Sequence, residues 1–256
     1  MSLSLNLSGK TALITGASSG LGAHFATVLA GQGAAVVLAA RRVERLQKLQ
    51  ADIEAAGGTA FPVSMDVTSP ESVSDAFEAI SERFGSACEI LVNNSGVGQE
   101  SWFINTTEEE WAGIIDTNLT GVWRVAQQAS RAMIKDGKPG SIINIASITA
   151  YQPALMNTGY AASKAAVDHL TRTMALELAR YNIRVNAIAP GYFKTEINDD
   201  YLDSDAGDRM RQRIALRRFG NYQDLDGPLL LLASEAGAFM TGSSIVVDGG
   251  HTLAPL

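Results

Sequence analysis

Tyr160 and Lys164 stand four residues apart in a segment of helical spacing, so their side chains project from one face at neighbouring heights. A phenol ordinarily titrates near ~10, and a nearby ammonium favours the phenolate, drawing it towards the ~7–8 at which it both gives and takes a proton. That is the donor a carbonyl needs when it accepts hydride and becomes an alkoxide. Ser147 closes a buried apolar run, the edge where open α/β sheets hold ligands, and its hydroxyl could bond the same oxygen. Taken singly, each has an ordinary structural reading, an exposed Tyr–Lys helix pair and a turn serine.

A second group of residues suits a dinucleotide. Thr15-Gly16-Ala17-Ser18-Ser19-Gly20-Leu21-Gly22 follows an apolar run and opens a helix near Leu21. Gly16 permits a tight turn, Gly20 lets backbone approach a pyrophosphate, and Gly22 lets helix pack on strand. Backbone N–H groups about Ser19 and Leu21, at the helix start, are the phosphate donors. About 20 residues on, where a carboxylate would hold the ribose of NAD(H), the chain has Arg41 and Arg42. Two guanidiniums can pair a 2′-phosphate that a carboxylate would repel, with Ser18 as a further donor, so NADP(H) is preferred and NAD(H) is the alternative. The competing reading makes both arginines surface charges on a first helical turn with Glu44.

Positioning these residues requires alternating strands and helices. Apolar, β-branched runs recur at Thr11–Thr15, Ala34–Ala40, Ala60–Met65, Ile90–Asn93, Ser141–Ser147, Arg184–Ala189 and Ser244–Asp248, each like a strand buried on both faces. Between them, Val43, Leu46, Leu49 and Ile53, then Val73, Phe77, Ile80 and Phe84, form helical stripes. Ser69 before Pro70 is an N-cap signal, and Thr107 with Glu110 has capping-box spacing. The expected architecture is α/β, a Rossmann-type doubly wound parallel sheet of about seven strands with helices on both faces. No linker or repeat divides residues 1–256, which read as one dinucleotide-binding and catalytic domain. A substrate loop is expected over 192–215; its aspartate-rich part, Asn198 to Asp208, is either a solvated loop or a mobile lid.

Bulk properties exclude several classes. A net charge of −7 gives no long-range attraction to nucleic acid or anionic lipid. Cys88 is the only cysteine, so a disulfide framework is excluded; it reads as a small buried residue, and a reducing, cytoplasmic setting fits. No signal peptide or membrane-length apolar run is apparent. His24, His169 and His251 lack paired ligand spacing, and no metal is assigned. Trp102, Trp111 and Trp123 read as packing or interface residues.

Together, Thr15–Gly22, Asp66-Val67, Asn93-Asn94-Ser95-Gly96, Asn118, Ser147, Tyr160-Ala161-Ala162-Ser163-Lys164, Asn186, Pro190-Gly191 and Thr195 stand in the order of one family. Over nearly its whole length the chain resembles the short-chain dehydrogenase/reductases, in the branch that includes 3-oxoacyl-carrier-protein reductases. The resemblance implies that Asp66 and Val67 contact the adenine, that Asn93, Ser95 and Gly96 lie along the adenosine ribose, and that Pro190, Gly191, Phe193 and Thr195 hold the nicotinamide carboxamide. It implies that Lys164 also holds the nicotinamide ribose, and that Asn118 binds a water linking that lysine to solvent; by sequence alone Asn118 is equally a helix asparagine bonding its own backbone. Ser95 replaces the family's usual alanine, and the tail from His251 has no assigned role. The resemblance further implies a homotetramer built on Glu110 to Lys135 and Thr158 to Tyr181. The expected activity is hydride transfer between NADP(H) and a small-molecule alcohol/carbonyl pair. Its alternatives are a catalytically silent dinucleotide sensor, a scaffold, or an NAD-dependent alcohol or sugar dehydrogenase. Pro153, Leu155 and Met156 suggest an apolar wall, favouring a ketoacyl or hydrophobic ketone over a free sugar.

Overall fold

The computed structural model describes residues 5–194, 202 and 204–253. Seven parallel strands form one sheet in the order β3-β2-β1-β4-β5-β6-β7. They are β1 (Thr11–Thr15), β2 (Ala35–Ala40), β3 (Thr59–Ser64), β4 (Ile90–Asn93), β5 (Gly140–Ile145), β6 (Ile183–Pro190) and β7 (Ser244–Val247). All seven apolar runs are strands, with ends within two residues of those expected, because a strand covered on both faces needs a continuous apolar stretch.

Successive residues of each strand serve opposite faces. Ala12 and Ile14 of β1 pack with Phe25 and Leu29 of α1 (Gly20–Gly31), Leu46 and Ile53 of α2 (Val43–Ala55), and a leucine-rich helix near the C-terminus. Leu13 faces the other way, towards Val73 and Ile80 of α3 (Pro70–Phe84) and helices further along the chain. Those are α5 (Gly121–Lys135) and α6 (Thr158–Leu178), with α4 (Glu108–Ile115) leading into α5. Among the described residues, α7 (Asp205–Arg213) and α8 (Asp226–Ala233) follow β6, and α8 supplies Leu229, Leu230 and Leu232 to the first face.

Ser69 caps α3 as expected, accepting from Ser72 N at 3.1 Å. Thr107 likewise accepts from Glu110 N at 3.1 Å. The return half of that capping box does not form, because the Glu110 carboxylate takes the Ser101 hydroxyl instead, at 2.9 Å.

Between α4 and α5 the backbone makes one π-helical turn over Asp116–Thr120, so 108–135 is a single rod carrying a bulge. Turns of this type concentrate at functional sites because the surplus residue re-aims side chains; here it carries Asn118, which is fully buried. The strand order reverses between β1 and β4, whose C-terminal ends bound the crevice where doubly wound sheets bind ligands.

Candidate active site

Leaving β1, the chain turns at Gly16 (φ +67°), and it turns again at Gly20 (φ +56°) as α1 begins. A side chain at Gly22 would overlap the Gly16 carbonyl, whereas one at Gly20 would meet only the Tyr222 hydroxyl at 3.9 Å. The loop is thus closed on the sheet side and open at Gly20. Asn94, just past β4, ties it down: its backbone N donates to Thr15 Oγ1 (3.0 Å) and its amide to Thr15 O (3.0 Å). Ser95 N shares the same hydroxyl at 3.0 Å.

Arg42 folds over this loop, donating to Ser18 Oγ and Ser19 Oγ, each at 2.9 Å, with its guanidinium still exposed. Arg41 is also exposed at the end of β2. Asp66 is fastened to Thr68, whose amide holds its carboxyl below the usual range, with Arg41 and Arg124 adding to the effect. The Val67 carbonyl receives Arg124, and Val67 itself packs against Gly121 at the start of α5. Asn93 donates to Asn144 (2.9 Å), but its buried Oδ1 has no partner. An open glycine turn, an orphaned buried acceptor along β4 and a guanidinium over two serines form a cradle that fits a phosphorylated dinucleotide.

Beyond β5, Ser147 caps a short 3₁₀ turn and accepts from both Thr149 N (3.1 Å) and Thr149 Oγ1 (3.0 Å). Its own proton is therefore left to donate, and it lies close enough to the Tyr160 phenol to oppose the rise in that group's pKa. Tyr160 lies in the first turn of α6, with Lys164 Nζ 5.6 Å from its ring centre. The two side chains do share one face. The expected electrostatics differ, however. Burial pushes the Tyr160 phenol up, opposed by Ser147, while burial pulls the Lys164 ammonium down to about 8. The physical reason is that both groups leave water on folding, and the Lys164 ammonium donates to the Ile145 carbonyl, 2.8 Å away, rather than to the phenol.

Asn118 does not bond its own helix. Its carboxamide clamps Val97, accepting from Val97 N (2.8 Å) and donating to Val97 O (2.9 Å), with Ser163 Oγ at 3.3 Å. A methyl added to Gly96 would lie 3.3 Å from Asn118 Oδ1 and 3.8 Å from Lys164 Nζ, so both groups border one gap.

Pro190 ends β6, and Gly191 passes so close to Asp248 that a side chain would clash with its backbone. Phe193 is buried and pairs with Gly220. Thr195, and much of the expected substrate loop, lie outside the described residues. The start of the tail braces this region: buried His251 meets Tyr192 edge-on at 5.3 Å, and burial lowers its imidazole's pKa.

Three residues that sequence reasoning passed over help to hold the site. Asn94 anchors the glycine turn, Thr149 orients Ser147, and Gln99 reaches the backbone of Tyr160. Asn94 had a signal in its place inside a motif and Thr149 in standing two residues from Ser147, whereas Gln99 acts through contacts 60 residues away that no local spacing reveals.

Fold and site together define a class, the α/β oxidoreductases that bind a nicotinamide dinucleotide across a strand-order reversal. A family model described as Enoyl-(Acyl carrier protein) reductase matches residues 16–252. The chain belongs to the short-chain dehydrogenase/reductase family. It is 37% identical to the 3-oxoacyl-[acyl-carrier-protein] reductase FabG of Thermotoga maritima, over 96% of this chain and 99% of that protein. It is 39% identical to 3beta-hydroxysteroid dehydrogenase 1 of Eggerthella lenta, over 98% and 96% of the two chains. Among solved structures, a gluconate 5-dehydrogenase from Burkholderia cenocepacia in complex with NADP and tartrate superposes with a TM-score of 0.94 at 37% identity, covering 98% of each chain.

Proposed function

We propose that this protein is an NADP(H)-dependent oxidoreductase that interconverts an uncharged, apolar ketone and its alcohol, with Tyr160 carrying the proton. The observation that carries the reading is the meeting of Ser147, Tyr160 and Lys164 beside a glycine turn overlaid by Arg42. When bound, the nicotinamide supplies or accepts the hydride.

In the reducing direction Tyr160 Oη gives its proton to the substrate oxygen as the carbonyl carbon gains hydride, and Ser147 Oγ donates to the same oxygen. The phenolate left behind is held by Ser147 and by the Lys164 ammonium, and it regains a proton through the gap that Lys164 shares with Asn118. Arg41, Arg42 and Ser18 bind the 2′-phosphate. The turn about Ser19, Gly20 and Leu21 binds the pyrophosphate, Asp66 and Val67 the adenine, and Asn93, Ser95 and Gly96 the ribose; Lys164 also holds the nicotinamide ribose, and Pro190, Gly191 and Phe193 the carboxamide.

The substrate class follows from the approaches to Tyr160. Trp102, Phe103, Ile104 and Leu155 are 50%, 74%, 87% and 78% exposed. Their two segments are joined by Ser101 N to Met156 O at 3.1 Å. Between Asn94 and Asp116 there are four carboxylates and no lysine or arginine, and no charged residue stands between Ser147 and Tyr160. An apolar rim with surplus negative charge favours a neutral hydrocarbon-rich ketone over a sugar acid or a phosphate-bearing thioester.

Following NADPH consumption against 1-decalone, 5-ketogluconate and acetoacetyl-CoA tests this ranking. The neutral ketone should lead in kcat/KM, and added salt should help only the two anions. Tyr160→Phe should bind NADPH normally while losing about 10²–10⁴-fold in turnover. Wild-type turnover in that variant would remove Tyr160 from the mechanism.

The assembly we propose is a cytoplasmic homotetramer of one-domain subunits, packed through the 108–135 rod and α6. Trp111 and Trp123, exposed on that rod, support it as contact residues. Among the described residues no helix is long and apolar enough to cross a membrane.

A further inference from the structure

We propose that Gln99 is a positioning residue for Tyr160, serving as the N-cap that α6 itself lacks. An α-helix leaves its first N–H groups without intrahelical partners, and a capping side chain ordinarily accepts from the second or third residue of the helix. In α6 those are Gly159 and Tyr160, since the helix opens at Thr158. The local cap residue, Asn157, makes no such bond. Gln99 Oε1, arriving from a segment 60 residues away, accepts from Gly159 N at 2.6 Å and from Tyr160 N at 3.2 Å.

The carboxamide is held at its other end as well. Its Nε2 donates to Ser101 Oγ (3.0 Å) and Thr106 Oγ1 (3.1 Å), and Ser101 in turn donates to the Glu110 carboxylate at 2.9 Å. Two hydroxyl acceptors on one side and two N–H donors on the other fix which way the amide points. Two residues earlier, Asn118 grips both polar groups of Val97. The segment bearing Gln99 is thereby tied to the rod on one side and to α6 on the other. Immediately before α6, Met156 adopts φ +61°, a conformation a long side chain avoids without support. Its carbonyl accepts from Ser101 N at 3.1 Å, so the same network holds the strained lead-in.

The consequence is geometric and electrostatic. Gln99 sets the height of the helix start from which the phenol reaches Ser147, and it does so with a neutral acceptor. A carboxylate there would cap α6 as well, yet would oppose formation of the phenolate. This role rests on the reading that Tyr160 carries the proton.

Three variants test it on the full-length protein. Gln99→Leu should expose the Gly159 and Tyr160 amides, seen as faster deuterium uptake confined to peptides over 158–163. It should lower kcat for 1-decalone by about 10–10²-fold, as expected for a misplaced reacting group, with NADPH affinity within twofold of wild type. Gln99→Glu should restore slow exchange and shift the pH dependence of kcat to higher pH by about one unit, the displacement a nearby carboxylate gives a phenol. Ser101→Ala, which removes a hydroxyl but no cap acceptor, should lose less than Gln99→Leu.

Unchanged deuterium uptake in Gln99→Leu would overturn the capping role. Unchanged kcat with faster uptake would overturn the positioning role, and so would equal losses in NADPH affinity and kcat, which indicate general loosening. Should Tyr160→Phe remain active, the failure belongs to the proposed chemistry. An inactive Tyr160→Phe beside a fully active Gln99→Leu refutes this inference alone.

Discussion

At the scale of single residues, the site holds a buried base in an unfavourable setting. Lys164 is pulled from its usual range to about 8 by burial. Between that value and the ordinary ~10.4 the unfolded chain binds a proton that the folded chain has released, so this group makes stability rise with pH across the interval, while the full penalty applies below pH 8. Lys164→Met should therefore raise stability at pH 7 by about 1–2 kcal/mol, the desolvation relieved less the bond to Ile145 O. The gain should shrink by pH 10, as read from urea denaturation without cofactor; a destabilised variant at both pH values would refute the assignment. Arg41 and Arg42 make a selectivity prediction. Changing both to alanine should weaken NADPH by about 10²-fold or more and NADH little, since only the 2′-phosphate loses charge-assisted partners; equal losses in fluorescence titrations would count against it.

At the scale of elements, legibility followed burial. The strands were readable because parallel strands covered on both faces leave uninterrupted apolar runs, and Ser69-Pro70 marked the start of α3 because a cap and a first-turn proline act locally. The Thr107–Glu110 signal was half right, since a carboxylate one turn into a helix can be claimed by any nearby hydroxyl, here Ser101. The π-helical turn had no sequence signature at all. It places Asn118 against Val97, which is a tertiary bond, as is that of Gln99. The shifted titration of Tyr160 and Lys164 was hidden for the same reason: spacing gives adjacency but not desolvation. Asn118→Ala would strand both polar groups of Val97 and should cost about 2–3 kcal/mol. Ser69→Ala, a lost cap far from the site, should cost about 1 kcal/mol and leave turnover unchanged. Equal effects of the two on kcat would argue against a special role for the bulge.

At the scale of the whole molecule, the chain has faces that a lone subunit leaves wet. Besides Trp111 and Trp123, Leu176 and Phe239 are exposed, as is Val246 on the edge strand β7. A homotetramer should appear in light scattering at micromolar concentration as about four times the 27.1 kDa chain mass; a monomer mass would refute it. The tie between Asn94 and Thr15 joins residues 79 apart in sequence, across the β1–β4 pairing. Contacts of that separation are paid for in chain entropy before they are rewarded, so they form late. A nascent chain that has finished only β1 to β3 already owns every glycine of the nucleotide turn and the arginine that overlays it, yet lacks the Asn94 tie at its base. The nucleotide turn therefore reaches its final shape only when the second half of the sheet docks, so the site is finished by the fold's longest-range pairing rather than by its own glycines.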